Sequence, residues 1–324
     1  MAKFISLFAG VGGFDHGLHK ANHECVAQVE WDKNAAGVLK HRWPNVPLFC
    51  DVSKVSADDL PDADFITYGF PCQDLSVAGK REGLDGKRSG LFYEATRLIR
   101  ELRTRGCGLR FAVAENVGGL FSADDGVALA RCIRELLDCG ACETGWRLLD
   151  SQYFGVAQRR KRVFIVSDFG GESVDEILAI TESLPGHPPP SRKAGEGTAG
   201  DASKGAADGP KVIGWNGDTT PKASEDVSVT LRSQQGGEGV GVAHAPLTVR
   251  RLTPIECERL QGFPDNWTSE KMELTLEGNE WKATSKVVKQ ADGPRYKQMG
   301  NAITVNVGAW IGKQIGKVLD ENND

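Results

Sequence analysis

The sequence lacks the features of a membrane protein, of a protein with a secretion signal and of a disulfide-rich one. No apolar run in its 324 residues approaches the roughly 20 that a membrane-spanning helix needs. The N-terminus enters an apolar strand at once, with no cleavable signal pattern. The eight cysteines have irregular spacing and form no disulfide framework, which predicts a reducing cytoplasm.

Metal-binding and uniformly basic patterns are scarce too. Cys139 and Cys142 are the only closely spaced cysteines, and no second pair follows at ligand spacing, so we expect no bound metal. The formal net charge of −5 disfavours a basic surface but allows a local basic cleft. A hydrophobic fraction of 40% and a charged fraction of 26% are ordinary for a globular protein. The length allows one large domain with a smaller inserted one.

A glycine-rich turn follows the first predicted strand. Lys3–Phe8 is apolar, and Ala9–Gly13 then leads into a helix that carries Phe14 and Leu18 on one face. Glycines here would let a nucleotide-like ligand approach the backbone, although their spacing differs from the dinucleotide-binding motif. From this stretch alone, an ordinary turn between a strand and a helix is equally compatible.

Two further predicted strands end in acids. Cys25–Glu30 precedes Trp31, and Leu48–Asp51 ends in a second carboxylate. An acid at the tip of a second strand can accept hydrogen bonds from both hydroxyls of a ribose. Trp31 could cover an adenine ring, or it could pack in the core. Together the three strand tips favour one site for an adenosyl ligand.

A fourth apolar strand, Phe65–Tyr68, leads to Cys72 through Gly69 and Pro71. Open α/β sheets place reacting groups at such strand tips. Most free cysteines are small buried residues, however, so this motif does not decide between the two roles. The glycine-rich loop that follows predicts either a lid over an anionic polymer or disorder. Its cations are Lys80, Arg81, Lys87 and Arg88.

Charged residues flank two later strands. Glu115 follows the apolar start of Phe111–Val117, so desolvation should raise its pKa and suit it to donate a proton. Alternatively, it only accepts hydrogen bonds from the next turn. The four cations of Arg159–Arg162 lead into another strand, and at least some should face an anionic ligand or a carboxylate rather than solvent.

The remainder of the chain is less regular. Residues 167–249 are rich in glycine, proline, serine and aspartate. Thr253 then begins a helix with a capping box. Met272–Thr284 predicts a hairpin, and Ile303–Leu319 predicts a closing amphipathic helix.

Taken in order, these motifs resemble those of the C5-cytosine DNA methyltransferase family. They frame nearly the whole chain, apart from about 167–249 and the hairpin. The Gly-Phe-Pro-Cys-Gln-x-x-Ser motif is highly specific, whereas Glu-Asn-Val is weak by itself. The matching segments are Phe4–Gly17, Glu30–Trp31, Gly69–Gly79, Glu115–Val117, Gln158–Arg162, Arg250–Trp267 and Gln298–Val307.

The resemblance implies an α/β fold, with a Rossmann-like class I methyltransferase domain built on a mainly parallel sheet. This catalytic, S-adenosylmethionine-binding domain would comprise residues 1–168 and 296–324, with the C-terminal helix returning to the first strand. A smaller target-recognition domain, residues 169–295, would read DNA. The dipeptide Thr230-Leu231 is typical of such recognition regions.

The resemblance also implies DNA (cytosine-5-)-methyltransferase chemistry. Cys72 would add to C6 of a flipped cytosine and Glu115 would stabilise the adduct at N3, while Arg160 and Arg162 hold the base carbonyl and a nearby phosphate. The S-adenosylmethionine site would comprise Phe8, Gly10, Gly12, Glu30, Trp31, Asp51, Val52, Pro71, Leu91 and Asn301. DNA contacts are expected from Gln73, Ser76, Lys80, Arg81, Lys87, Arg88, Arg232, Gln234 and Gln235.

Two rival functions share part of this pattern. A tRNA cytosine-5 methyltransferase has the same fold, but the long variable segment before Arg250 favours DNA. A catalytically silent adenosyl-binding regulator is disfavoured by the intact Cys72, Glu115 and Arg162. We expect a cytoplasmic monomer, in a bacterial or phage-infected cell, that acts on double-stranded DNA and binds no membrane. The sequence specifies neither the recognition site nor whether a cognate restriction endonuclease exists.

Overall fold

A nine-stranded sheet runs through the part of the chain that the computed structural model describes, which is residues 1–70, 90–180, 211–214, 222–224, 240–244 and 248–321. In chain order the strands are β1 (Lys3–Leu7), β2 (Glu24–Val29), β3 (Leu48–Phe49), β4 (Phe65–Gly69), β5 (Phe111–Val117), β6 (Glu143–Asp150), β7 (Lys161–Asp168), β8 (Lys211–Gly214), β9 (Lys222–Ser224), β10 (Val240–His244), β11 (Thr248–Arg251), β12 (Glu270–Glu277) and β13 (Glu280–Lys289).

The order across the large sheet is β12-β13-β3-β2-β1-β4-β5-β7-β6. β1 pairs in parallel with β2 and β4, and β4 pairs in parallel with β5. β7 is antiparallel to both of its neighbours, β5 and β6. The prediction of an α/β fold with a mainly parallel sheet is therefore confirmed. In such sheets ligands bind beyond the carboxyl ends of the parallel strands.

The helices are α1 (Gly13–Lys20), α2 (Lys33–Arg42), α3 (Gly90–Arg105), α4 (Val127–Asp138), α5 (Val174–Leu178), α6 (Pro254–Leu260), α7 (Asp292–Asn301) and α8 (Val305–Glu321). The capping box predicted at Thr253 is present at the start of α6. α7 has no counterpart among the elements predicted from the sequence. No helix in the described residues combines the length and the apolar character that crossing a bilayer requires.

Both faces of the central strands are buried, which explains why these strands are mostly apolar. Successive side chains of a strand point to opposite faces. Phe65 and Phe111 accordingly pack in the layer that holds α1, α5 and α8, whereas Ile66 and Ala112 pack in the layer that holds α3 and α4. The two largest apolar layers of the core thus lie on either side of the sheet.

The C-terminal helix α8 lies against α1, next to the first strand. A Cβ built on Gly17 of α1 would lie 2.5 Å from the carbonyl oxygen of Val305 and 2.7 Å from the backbone nitrogen of Ala309. Only a glycine allows the two backbones to approach this closely. This contact brings the two ends of the chain into one layer.

The hairpin β12–β13, which we grouped with residues 169–295, continues the large sheet. Glu280 pairs with Phe49 of β3, and Trp281 packs with Leu48. β8 to β11 form a separate antiparallel sheet in the order β11-β10-β8-β9. The domain division stays a prediction.

Candidate active site

The turn between β1 and α1 has an unusual backbone. Phe8, Gly10 and Gly12 have positive φ angles of 54°, 58° and 82°. A left-handed conformation is rare for phenylalanine, and such strained residues cluster at binding sites. A Cβ on Gly12 would lie 2.5 Å from the ring of Trp43, so this position also needs glycine for space. The predicted cradle is thus a tight, specialised turn.

Glu30 closes this turn from the tip of β2. Its two carboxylate oxygens accept hydrogen bonds from the backbone nitrogens of Gly10 and Asp32, each at 2.7 Å. Burial raises the pKa of Glu30 to about 7, although both hydrogen bonds favour the charged form. The neighbouring Trp31 side chain is 70% exposed, which excludes core packing and leaves its ring free to contact a ligand.

A cleft joins the glycine turn to the ends of β4 and β5. Residues that were predicted for two different roles line it together, because the parallel strands end at one edge of the sheet. Its lining includes Phe8, Gly10, Gly13, Gly69, Glu115 and Asn301. The predicted cofactor residues Val52 and Leu91 are buried and partly buried in the layer of α3 and α4, and their assignment stays a prediction.

Glu115 is the buried acid of this cleft. Its Oε1 atom lies 3.0 Å from Nε of Arg162, and a Cβ built on Gly69 would lie 3.4 Å from its Oε2 atom. Burial raises the pKa of Glu115, and the positive charges of Arg162 and Arg160 offset this only in part. The pKa shift has the direction predicted for a proton donor.

Arg160 is buried rather than open to a ligand. Its side chain donates from Nη2 to the carbonyl oxygen of Gly300 at 2.9 Å, and only 2% of the residue is exposed. Burial, with Arg162 nearby, lowers the pKa of Arg160 to about 9. These contacts favour a positioning role that links β7 to α7. A direct contact of Arg160 with a base or phosphate stays a prediction.

The comparison with known proteins identifies the family. Residues 2–182 and 191–317 match the family model of the C-5 cytosine-specific DNA methylases. The chain belongs to this family. The Type II methyltransferase M2.BsuMI of Bacillus subtilis (strain 168) is 31% identical over 326 residues, which cover 97% of this chain and 75% of the relative. M.HhaI of Haemophilus parahaemolyticus is 26% identical over 341 residues, 98% and 95% of the two chains.

The fold agrees with this assignment. The crystal structure of the S. pombe Dnmt2 methyltransferase superposes with a TM-score of 0.66 over 100% of both chains, at 17% identity. At that identity the likeness shows the fold alone. The resemblance that we inferred from the motifs is confirmed, and the protein is an enzyme, a cytosine-specific DNA methyltransferase.

Several predicted site residues of the methyltransferase lie outside the described residues. Their assignments stay predictions. They are Pro71, Cys72, Gln73, Ser76, Lys80, Arg81, Lys87, Arg88, Arg232, Gln234 and Gln235. The described backbone does reach Phe70, whose carbonyl oxygen accepts a hydrogen bond from Asn116 Nδ2 at 3.4 Å.

Asp51, a predicted cofactor residue, makes a contact that was not predicted from the sequence. Its carboxylate accepts a hydrogen bond from the backbone nitrogen of Ser53. Asp51 thereby caps the short 3₁₀ turn Val52–Lys54. Its backbone is bound on both sides by the amide group of Asn279, from the hairpin. The two residues are 228 positions apart, so no local pattern could have indicated their contact.

Proposed function

We propose that this methyltransferase transfers a methyl group from S-adenosylmethionine to C5 of a flipped cytosine in double-stranded DNA, through a covalent adduct between Cys72 and C6. One observation carries the proposal. Glu115 lies beside Gly69, three residues before Cys72, and lines the same cleft as the glycine turn. One edge of the sheet therefore holds the proton donor Glu115, the end of β4 that leads to the Cys72 thiol, and the glycine turn.

The described residues fit S-adenosylmethionine. A Cβ on Gly10 would meet nothing within 4 Å, so the turn faces open space that a ligand can enter. An ionised carboxylate has about four lone-pair positions. Glu30 uses two of them for backbone nitrogens and keeps the others for the ribose hydroxyls. When bound, S-adenosylmethionine supplies an electrophilic methyl group on its sulfonium.

The residues of the chain perform the remaining chemistry. C5 of cytosine is a poor nucleophile, and bonding of the Cys72 thiolate to C6 makes C5 enamine-like. Protonated Glu115 donates a hydrogen bond or its proton to N3 and stabilises the adduct. Arg162 holds the Glu115 carboxyl in place. After methylation the C5 proton passes to solvent water and a proton on N3 returns to Glu115, while the Cys72–C6 bond breaks, which regenerates the thiolate and leaves 5-methylcytosine in the DNA.

DNA binding is divided between two parts of the chain. Cations of the segment after Cys72 and of residues 159–162 contact phosphates, whereas residues 167–249 read base edges. Gln73 and Ser76 fill the gap that the flipped base leaves. Because both relatives are named Type II methyltransferases, we propose a cytoplasmic role beside a cognate restriction endonuclease.

Bisulfite sequencing of DNA from cells that express the wild type or Cys72→Ser tests the proposal. The wild type should methylate cytosines within one sequence motif. Cys72→Ser should methylate none while it still binds DNA and cofactor, because a hydroxyl is far less nucleophilic than a thiolate. Turnover by Cys72→Ser within tenfold of the wild type contradicts the proposal. Methylated tRNA beside unmethylated DNA would identify the chain as a tRNA methyltransferase instead.

A further inference from the structure

Asn279, in the turn of the β12–β13 hairpin, contacts the chain at the tip of β3. Its side-chain Oδ1 accepts from the backbone nitrogen of Asp51 at 2.8 Å, and its Nδ2 donates to the carbonyl oxygen of Asp51 at 2.9 Å. Its own carbonyl oxygen accepts from the backbone nitrogen of Cys50 at 2.8 Å. Asn279 thus binds the backbone groups of Cys50 and Asp51, the two residues that follow β3.

Trp281, two residues after Asn279, contacts Glu30 at the tip of β2. Trp281 donates from its indole Nε1 to the carbonyl oxygen of Glu30 at 2.9 Å. Its ring is 7% exposed and packs with Leu39 and Leu48. The hairpin therefore binds the backbone of Glu30 as well as that of Asp51.

These contacts replace sheet pairing that β3 cannot supply. β3 has only two residues, and one pair, Glu280 with Phe49, links it to the hairpin. So short a strand fixes little of the chain that follows it. The asparagine amide presents an acceptor and a donor to both peptide groups of Asp51, as a further strand residue would. The hairpin therefore binds the backbones from which both acidic side chains extend.

We propose that Asn279 and Trp281 are positioning residues of the cofactor site, which hold the backbones of Asp51 and Glu30 so that their carboxylates face the adenosyl group. This inference rests on the proposed S-adenosylmethionine site. It makes the hairpin a part of that site, although neither residue touches the ligand. The alternative is that the hairpin only extends the sheet and contributes to stability.

The test uses three variants of the full chain. Asn279→Ala removes the amide, and Trp281→Phe removes the indole donor but keeps an aromatic ring for packing. Lys282→Ala is the matched control, because Lys282 lies in the same hairpin and its half-exposed side chain pairs with Glu280 at 2.6 Å. For each we would measure the Kd of S-adenosylhomocysteine by calorimetry, kcat and KM for S-adenosylmethionine with duplex DNA, and stability in urea.

Asn279→Ala should weaken S-adenosylhomocysteine binding about three- to tenfold, the range for losing net hydrogen bonds. KM for S-adenosylmethionine should rise by the same factor while kcat stays unchanged, because the loss affects ground state and transition state equally. Trp281→Phe should show a smaller effect of the same kind, and Lys282→Ala none. If Asn279→Ala binds S-adenosylhomocysteine with wild-type affinity, this inference is wrong whatever the stability of the variant in urea, and the proposed cofactor is unaffected. A wild-type protein that binds no S-adenosylhomocysteine overturns the proposed cofactor and this inference together.

Discussion

Replacement of Glu30 by glutamine should weaken cofactor binding by roughly 10- to 150-fold. Both oxygens of Glu30 accept backbone N–H groups, from Gly10 and Asp32. Glutamine has only one oxygen, so its amide nitrogen must face one of these donors, and the charge that attracts the ribose hydroxyls is lost. A hydrogen bond to a charged group contributes about 1.5–3 kcal/mol, which gives the stated range.

The pH dependence of binding distinguishes this cause from a general loss of structure. Because burial raises the pKa of Glu30 to about 7, the free protein holds this carboxyl partly protonated at neutral pH. The hydroxyl donors of ribose favour the carboxylate, so affinity should rise as the pH increases through 7 and then level off. Glu30→Gln should bind equally at every pH. Calorimetry with S-adenosylhomocysteine between about pH 5.5 and pH 8 measures both effects. Wild-type affinity that is independent of pH, or Glu30→Gln affinity equal to that of the wild type, would refute the ribose assignment.

Three further predictions concern stability, proton donation and specificity. Gly17→Ala should lower the free energy of unfolding, measured in urea, by about 1–3 kcal/mol, because its Cβ would overlap the backbone of α8. Gly293→Ala should leave this free energy unchanged, because its Cβ would meet nothing within 4 Å. Equal losses in both variants would be inconsistent with close packing of α1 and α8. Arg162→Ala removes the cation beside Glu115, so the pKa of Glu115 should rise further. The alkaline limb of the kcat–pH profile should then move to higher pH, because the proton donor stays protonated over a wider range. An unmoved limb would exclude Glu115 as the donor. Arg232→Ala should relax or lower methylation at the preferred site, whereas Lys87→Ala should weaken binding to all sequences alike; an unchanged motif and rate in Arg232→Ala would place the base readers elsewhere.

The central fold was predictable because its physical signals are local. A strand that is buried on both faces, such as Phe65–Gly69, is mostly apolar, and the capping box at Thr253 marks a helix start by itself. α7 gave no such signal. It contains Gly293 near its start, and its buried side chains include Arg295 and Gln298, so it has no apolar stripe to detect.

The site was predictable where strand order alone brings residues together. The tips of parallel strands share one edge, so the meeting of Gly10 and Glu115 in one cleft follows from the topology. The burial of Arg160 against the carbonyl of Gly300 and the contact of Asn279 with Asp51 depend on how distant segments dock. Neither leaves a periodic or compositional trace in the sequence.

Trapping the adduct tests the proposed reaction most directly. Duplex DNA that carries 5-fluorocytosine at the methylated position allows attack by the thiolate and methyl transfer, but it has no C5 proton to lose. Incubation with S-adenosylmethionine should therefore give a complex that survives denaturation, and mass spectrometry should locate the modified base on Cys72. Cys72→Ser should form no such complex. A stable adduct on another residue, or methylation of ordinary duplex DNA without any trapped complex, would contradict the mechanism.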